Sequence, residues 1–154
     1  MANERAVGSY LYNEYLRHFS EPMDEMKMHK LMYFAQRESL MLYDRCLFNE
    51  AFYGWKFGPV LKSVRSEYHD KNKTPYSGVK DDLAGEEKKL LDAVLERYAG
   101  MSSWKLSSLS HAEYSWRRAR RGLKSGENGD VVIELNAMKV DAAREKAYRR
   151  QNNL

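Results

Sequence analysis

Asp24-Glu-Met-Lys-Met-His-Lys-Leu-Met-Tyr-Phe-Ala-Gln-Arg-Glu-Ser-Leu-Met-Leu-Tyr43 is the stretch whose spacing decides the fold. Met28, Leu31, Met32, Ala35, Ser39, Leu42 and Tyr43 fall at i, i+3, i+4, i+7, i+11, i+14 and i+15, one continuous stripe along an α-helix. Pro22 interrupts the chain just before it, and the Asp24 carboxylate is suited to accept the unpaired N–H groups of its first turn. Lys30, Tyr33 and Arg37 project from the side opposite the stripe. They are expected to be exposed unless another element covers them, which makes that side a candidate contact surface.

Working outward, Val7, Leu11, Tyr12, Tyr15, Leu16 and Phe19 predict an earlier helix over about Arg5 to Phe19. After Tyr43, the short aromatic stretch Leu47 to Phe57, punctuated by Gly54, reads as irregular chain or a small hairpin. Gly58-Pro59 is expected to open a third helix reaching His69, with Pro59 in its first turn and Val60, Val64 and Tyr68 repeating every four residues. The polar segment Asp70 to Ala84 reads as the longest internal loop. Leu90, Leu91, Val94, Leu95 and Tyr98 predict a fourth helix from Gly85, with Glu86 and Glu87 at its positive end. A short fifth helix over Trp104 to Leu109, capped by Ser102 or Ser103, and a sixth over Ser115 to Gly122 follow. After the turn-rich Leu123 to Asp130, Val131-Val-Ile is a short strand expected to pair near Phe52, and a polar last helix runs from about Asn136 to Arg150. The expected fold is mainly α: one compact domain over residues 1–154, with about six to seven helices and at most a small β-hairpin or short sheet. Residues after Arg150 are expected to fray.

Composition narrows the function classes. The 154 residues suit one core, and no apolar run approaches the roughly 20 residues that a membrane-spanning helix needs. The start Met1-Ala-Asn-Glu-Arg lacks the basic-then-apolar order of a signal peptide, and Cys46 is the only cysteine, so a reducing cytoplasm is the expected location and no membrane partner is expected. His111-Ala-Glu113 matches half of a zinc deaminase signature, but no downstream Cys-x-x-Cys completes it. The four histidines share no metal-ligand spacing, and no phosphate loop or nucleophile elbow occurs. We therefore expect no catalytic, metal or cofactor-binding set, and not an enzyme. The net charge of +4 includes a cationic segment, Lys105 with Arg117, Arg118, Arg120, Arg121 and Lys124, opposed only by Glu113. On one helix Arg117, Arg120 and Arg121 can cluster while Arg118 points elsewhere, giving either a solvated face or a binding patch. Eleven tyrosines, three tryptophans and five phenylalanines add rings suited both to a core and to an interface.

Three separated stretches, taken together, resemble the Panacea domain, the family of GepA-like phage-associated proteins and SocA-like antitoxins. Met26-Lys-Met-His-Lys-Leu-Met-Tyr-Phe-Ala-Gln36 is similar to the family's Leu-x-Lys-Leu-x-Tyr-x-Ala-Gln helix, with Met28 where leucine is common. Trp55-Lys-Phe-Gly-Pro-Val60 is similar to its Trp-x-x-Gly-Pro-Val turn, and Glu87 to Asp92 with Ser110-His-Ala-Glu113, Trp116 and Ala119-Arg120 to its third part. The set spans about residues 5 to 125, with the strand and helix at about 131–150 beyond it. Ser110 stands where threonine is usual, and Ser115 where a proline often precedes the tryptophan. The resemblance implies an antitoxin that neutralises a cognate toxin, typically encoded beside it, by direct protein contact. The motif residues Lys30, Leu31, Tyr33, Gln36, Trp55, Gly58, Pro59, His111, Glu113, Trp116 and Arg120 are then structural or partner-binding. We prefer the structural reading: Lys30, Tyr33 and Gln36 hydrogen-bonding irregular segments, Trp55 and Trp116 filling the core, and Gly58 holding a conformation that other residues disfavour. Arg37, Arg117 and Arg121 are the candidate partner-binding surface. The rival readings are a nucleic-acid-binding regulator using residues 117–121 and a small enzyme of unrecognised type.

Overall fold

Asp24 does cap the central helix. In the computed structural model, which describes residues 1–154, its Oδ1 accepts the Lys27 N–H at 2.8 Å and α2 runs over Glu25–Tyr43. The helix stops at Asp44, whose φ of 52° leaves the right-handed region while its N–H still reaches the Leu40 carbonyl. Before it, α1 (Glu4–Phe19) is capped by Asn3 and terminated the same way by Ser20, at φ 57°.

The stretch after α2 resolves into a hairpin, β1 (Tyr53–Trp55) paired antiparallel with β2 (Gly58–Val60) in the register Tyr53 to Val60. Pro59 therefore lies in a strand and not in the first turn of a helix. The expected helix starts later, as α3 (Lys62–His69), because Pro59 and Val60 are held extended opposite Gly54 and Tyr53, while Gly58 turns the chain at φ 126°. Side chains take donors that the first turn of α3 leaves without a partner in the helix: Leu61 N–H is accepted by His29 Nδ1 at 3.2 Å, and Ser63 N–H by Glu50 at 3.0 Å. The 131–133 segment forms no strand of its own but lies beside the hairpin near Phe52 through one antiparallel bridge, Tyr53 to Val132, with Gly54 N–H donating to the Val131 carbonyl and Ile133 N–H to that of Phe52.

After the 70–84 loop come α4 (Gly85–Val94) and a π-helical turn, Leu95–Ala99, that continues it. Glu87 reaches back to the Ala84 N–H at 2.7 Å, so one of the two acids expected at the positive end closes the first turn. α5 (Ser103–His111) is capped by Ser102, α6 (Tyr114–Ala119) is short, and α7 (Leu135–Gln151) closes the chain. The result is a compact, mainly α structure of seven helices with one small antiparallel sheet.

The packing has a centre. α1, α3, α4, α5 and α7 all lie against α2, and every α2 residue from Met28 to Met41 is buried. Leu31, Met32, Phe34 and Ala35 join Val7, Leu11, Leu91 and Leu106 in one apolar cluster. The ends of the expected stripes fall outside it: Leu16 and Phe19 of α1 and Leu42 and Tyr43 of α2 are exposed, beyond the reach of the covering helices. The last helix, expected to be polar, contributes Met138 and Ala142 to the core. No helix is long and apolar enough to cross a membrane.

Candidate functional site

A helix buried all round has no polar side to offer solvent, so each of its polar groups needs an internal partner. Lys30 is 1% exposed; its Nζ donates to the Phe57 carbonyl and to Ser110 Oγ at 3.1 Å. It thereby ties α2 to the hairpin turn and to α5. Gly58 completes this joint, since a Cβ at that position would occupy the space of the Lys30 ammonium. Gln36 clamps the chain after α2, its Oε1 accepting the Leu47 N–H at 2.8 Å and its Nε2 donating to the Phe48 carbonyl at 2.9 Å. Ser39 donates to the Arg45 carbonyl at 2.7 Å.

No carboxylate faces Lys30, and burial lowers its pKa from 10.5 to about 8. Between about pH 8 and 10.5 the unfolded chain keeps a proton that the folded lysine has released, so this residue's contribution to stability rises with pH across that window. Denaturant midpoints taken between pH 7.5 and 9.5 test this against Lys30→Met. The difference between the two proteins should change by up to roughly 1.4 kcal/mol per pH unit. Parallel curves would mean that the ammonium is not desolvated.

One turn further along α2, Tyr33 OH meets Ser115 Oγ at 2.8 Å and Asp141 Oδ2 at 3.4 Å. Asp141, on α7, accepts the Tyr114 N–H at 2.8 Å and the Ser115 N–H at 2.9 Å, so a carboxylate from a remote helix caps the start of α6. Arg37 is 5% exposed and pairs with Glu113 through Nη1, while Nη2 donates to Tyr98 OH at 2.8 Å. Burial pushes the Glu113 carboxyl well above the usual carboxylate range; Arg37 opposes that shift and neighbouring Asp141 adds to it. Beside them, Glu38 pairs with Arg149 of α7. Asp141 and Arg149 were not singled out from the sequence. The signal was present, because Met138, Asp141, Ala142 and Glu145 repeat at i, i+3, i+4 and i+7.

Two expectations about the surface are corrected. Lys30, Tyr33 and Arg37 are not exposed, and Arg37 is no surface contact, because α5, α6 and α7 cover that side of α2. The cationic cluster also comes apart. Arg120 is buried and donates to the carbonyls of Gly54, Lys124 and Glu127, holding the 123–130 loop against the hairpin. Arg118 is exposed but pairs with Glu134, which leaves Arg117 and Arg121 as the exposed arginines of this group outside any ion pair. Trp116 is buried, with Nε1 donating to the Trp55 carbonyl at 2.8 Å and its ring stacked on His111 at 4.3 Å. Trp55 itself is only half-buried, its indole N–H held by exposed Asp130 at 2.9 Å, so it braces the hairpin from outside instead of filling the core.

Above the Arg37–Glu113 pair the surface opens into a groove of about 520 Å³ between the π-helical turn, α5 and α7. Phe34, Tyr98 and Arg37 lie in its floor, Met101 and Leu109 on one wall and Tyr148 on the other. Arg97, Lys105 and Arg144 stand around it, exposed and outside every ion pair.

The family model described as "Antitoxin SocA-like, Panacea domain" matches residues 28–117, well over half of the chain. The matched segment begins inside α2 and ends inside α6, so it holds Lys30, Tyr33, Gln36, Arg37, Gly58 and Glu113 together with the groove's α5 wall. No curated protein and no solved structure is significantly similar to the chain.

Proposed function

We propose, because the chain belongs to the SocA-like antitoxins that carry the Panacea domain, that it neutralises a toxin protein by direct contact, the toxin being encoded beside it. The family match over residues 28–117 is the observation that carries this reading. The side-chain geometry supports it from another direction. The motif residues Lys30, Tyr33, Gln36, Glu113 and Arg120 are spent on internal hydrogen bonds, so they build a scaffold and leave recognition to the exposed residues around it. Large rings are available there: Trp104 is 81% exposed, and Phe57 and Tyr148 are exposed as well. The protein acts in this reading as a binding module without catalysis, and its single cysteine suits a reducing cytoplasm.

Co-expression with the neighbouring gene product should rescue growth, and the two proteins should co-purify. Rescue with no complex, even after crosslinking, would refute direct neutralisation. The rival reading, a regulator gripping DNA with residues 117–121, loses support from the burial of Arg120 and the Arg118–Glu134 pair. The isolated protein should bind DNA no more tightly than the nonspecific range of roughly 10⁻⁴ to 10⁻⁶ M. Sub-micromolar, sequence-selective binding would make transcriptional control the better reading.

A further inference from the structure

The groove between the π-helical turn, α5 and α7 differs in charge from the structure beneath it. The acids in its floor are already satisfied: Glu113 by Arg37, Asp141 by the N–H groups of Tyr114 and Ser115, and Glu145 by Arg149 at 2.7 Å. The rim cations Arg97, Lys105 and Arg144 have no such partners. A surface that neutralises its acids internally and leaves three cations around an apolar trough complements an acidic, amphipathic chain. A second observation lies in the floor. Arg37 Nε is buried and donates to nothing, although the other two nitrogens of its guanidinium are engaged. An unpaired buried donor is costly, and here it sits under the groove floor that Arg37 helps to line, closed to solvent. Trp104, next to Lys105 in α5, does not line the groove but offers a large ring, 81% exposed, on the same helix. Rings so placed serve as anchors in interfaces.

We infer that this groove is the toxin-docking site, and that its occupant is an acidic, amphipathic segment of the toxin. Its apolar side lies on Met101, Leu109 and Tyr148, and its carboxylates meet Arg97, Lys105 and Arg144. This inference rests on the antitoxin reading and adds to it a surface and a partner chemistry. Because the rim residues are not the residues that hold the core together, the same scaffold can present a different rim to a different toxin.

The test uses the full chain and the neighbouring gene's product. The rim variant combines Arg97→Glu, Lys105→Glu and Arg144→Glu; the anchor variant is Trp104→Ala; the control combines Lys71→Glu and Lys80→Glu in the 70–84 loop, which packs on α1 through Tyr76. All these side chains are exposed, so each variant should keep the thermal midpoint of the unaltered protein. The rim variant is expected to associate with toxin roughly tenfold or more slowly at low salt and to lose most of the salt dependence of the rate. The anchor variant should chiefly speed dissociation, and the control should bind normally. Normal binding by both the rim and anchor variants would overturn the groove as the docking site while leaving the antitoxin reading intact. Equal losses in the control would overturn it too, since that pattern is a general charge effect. A dimer of the unaltered protein that dissociates in the rim variant would assign the groove to a second copy of this chain, against the inference. Failure of the unaltered protein to bind the toxin at all would remove the antitoxin reading, and this inference with it.

Discussion

Arg37→Met is expected to destabilise the protein by roughly 3 to 5 kcal/mol, the usual cost of stripping one partner from a buried ion pair. The substitution keeps most of the side chain's volume, so the loss reads electrostatics more than packing. It leaves Glu113 buried beside Asp141 with no cation between them and leaves Tyr98 OH with only the longer bond from Arg149, at 3.3 Å. Burial already raises the Glu113 pKa to about 8, and without Arg37 the carboxyl holds its proton to still higher pH, so the penalty stays level below about pH 8 and grows as the pH rises beyond it. Glu113→Gln in the same background should recover part of the loss, since a neutral amide needs no counter-charge there. Urea midpoints of the two single variants and the double close the cycle. If Arg37→Met cost less than about 1 kcal/mol while toxin binding disappeared, Arg37 would be a contact residue and its internal pairing incidental.

Leu31→Ala and Leu91→Ala should each cost roughly 2 to 5 kcal/mol, by lost transfer energy plus the cavity left behind. Both side chains are fully buried in the one apolar cluster, Leu31 on the central helix and Leu91 on α4 against it. Neither variant touches the groove rim. Each should therefore lower the denaturation midpoint while the fraction still folded binds toxin with unchanged affinity. Losses below about 1 kcal/mol at both positions would mean that the two stripes do not share a core. These two predictions separate the scaffold from the docking surface, which is what the antitoxin reading requires of a domain whose shared residues point inward.

Much of this scaffold is legible within a few residues of chain. Asp24 caps the helix that starts one residue later, and Ser102 the helix that starts at Ser103, because a cap reaches only the next two or three N–H groups. The 3.6-residue period of Leu31, Met32 and Ala35 likewise identifies a helix and one of its buried sides with no knowledge of what covers it. The hairpin could be placed only as an alternative, since whether Gly58-Pro59 opens a helix or a strand turns on the torsion of Gly58. The space beside that turn is taken by the ammonium of Lys30, 28 positions earlier in the chain.

What only the tertiary structure decided is that α2 has no outer side. Periodicity marks the apolar stripe as buried but cannot say that the polar stripe is buried too, and a polar residue facing another helix reads the same as one facing water. Tyr33 meets Asp141 across 108 positions and Glu38 meets Arg149 across 111, far beyond the three or four residues over which local rules act. The same distance dispersed the arginines. Arg120 turned inward because the carbonyls of Gly54 and Glu127 came to it, while Arg97, Lys105 and Arg144, from three separate segments, were gathered around one groove. The sequence by itself thus determined most of the helices, the caps of α2 and α5, and the family. The fold alone determined which charges are spent on holding it together and which remain for a partner, because burial is a property of the packed whole and not of any one element.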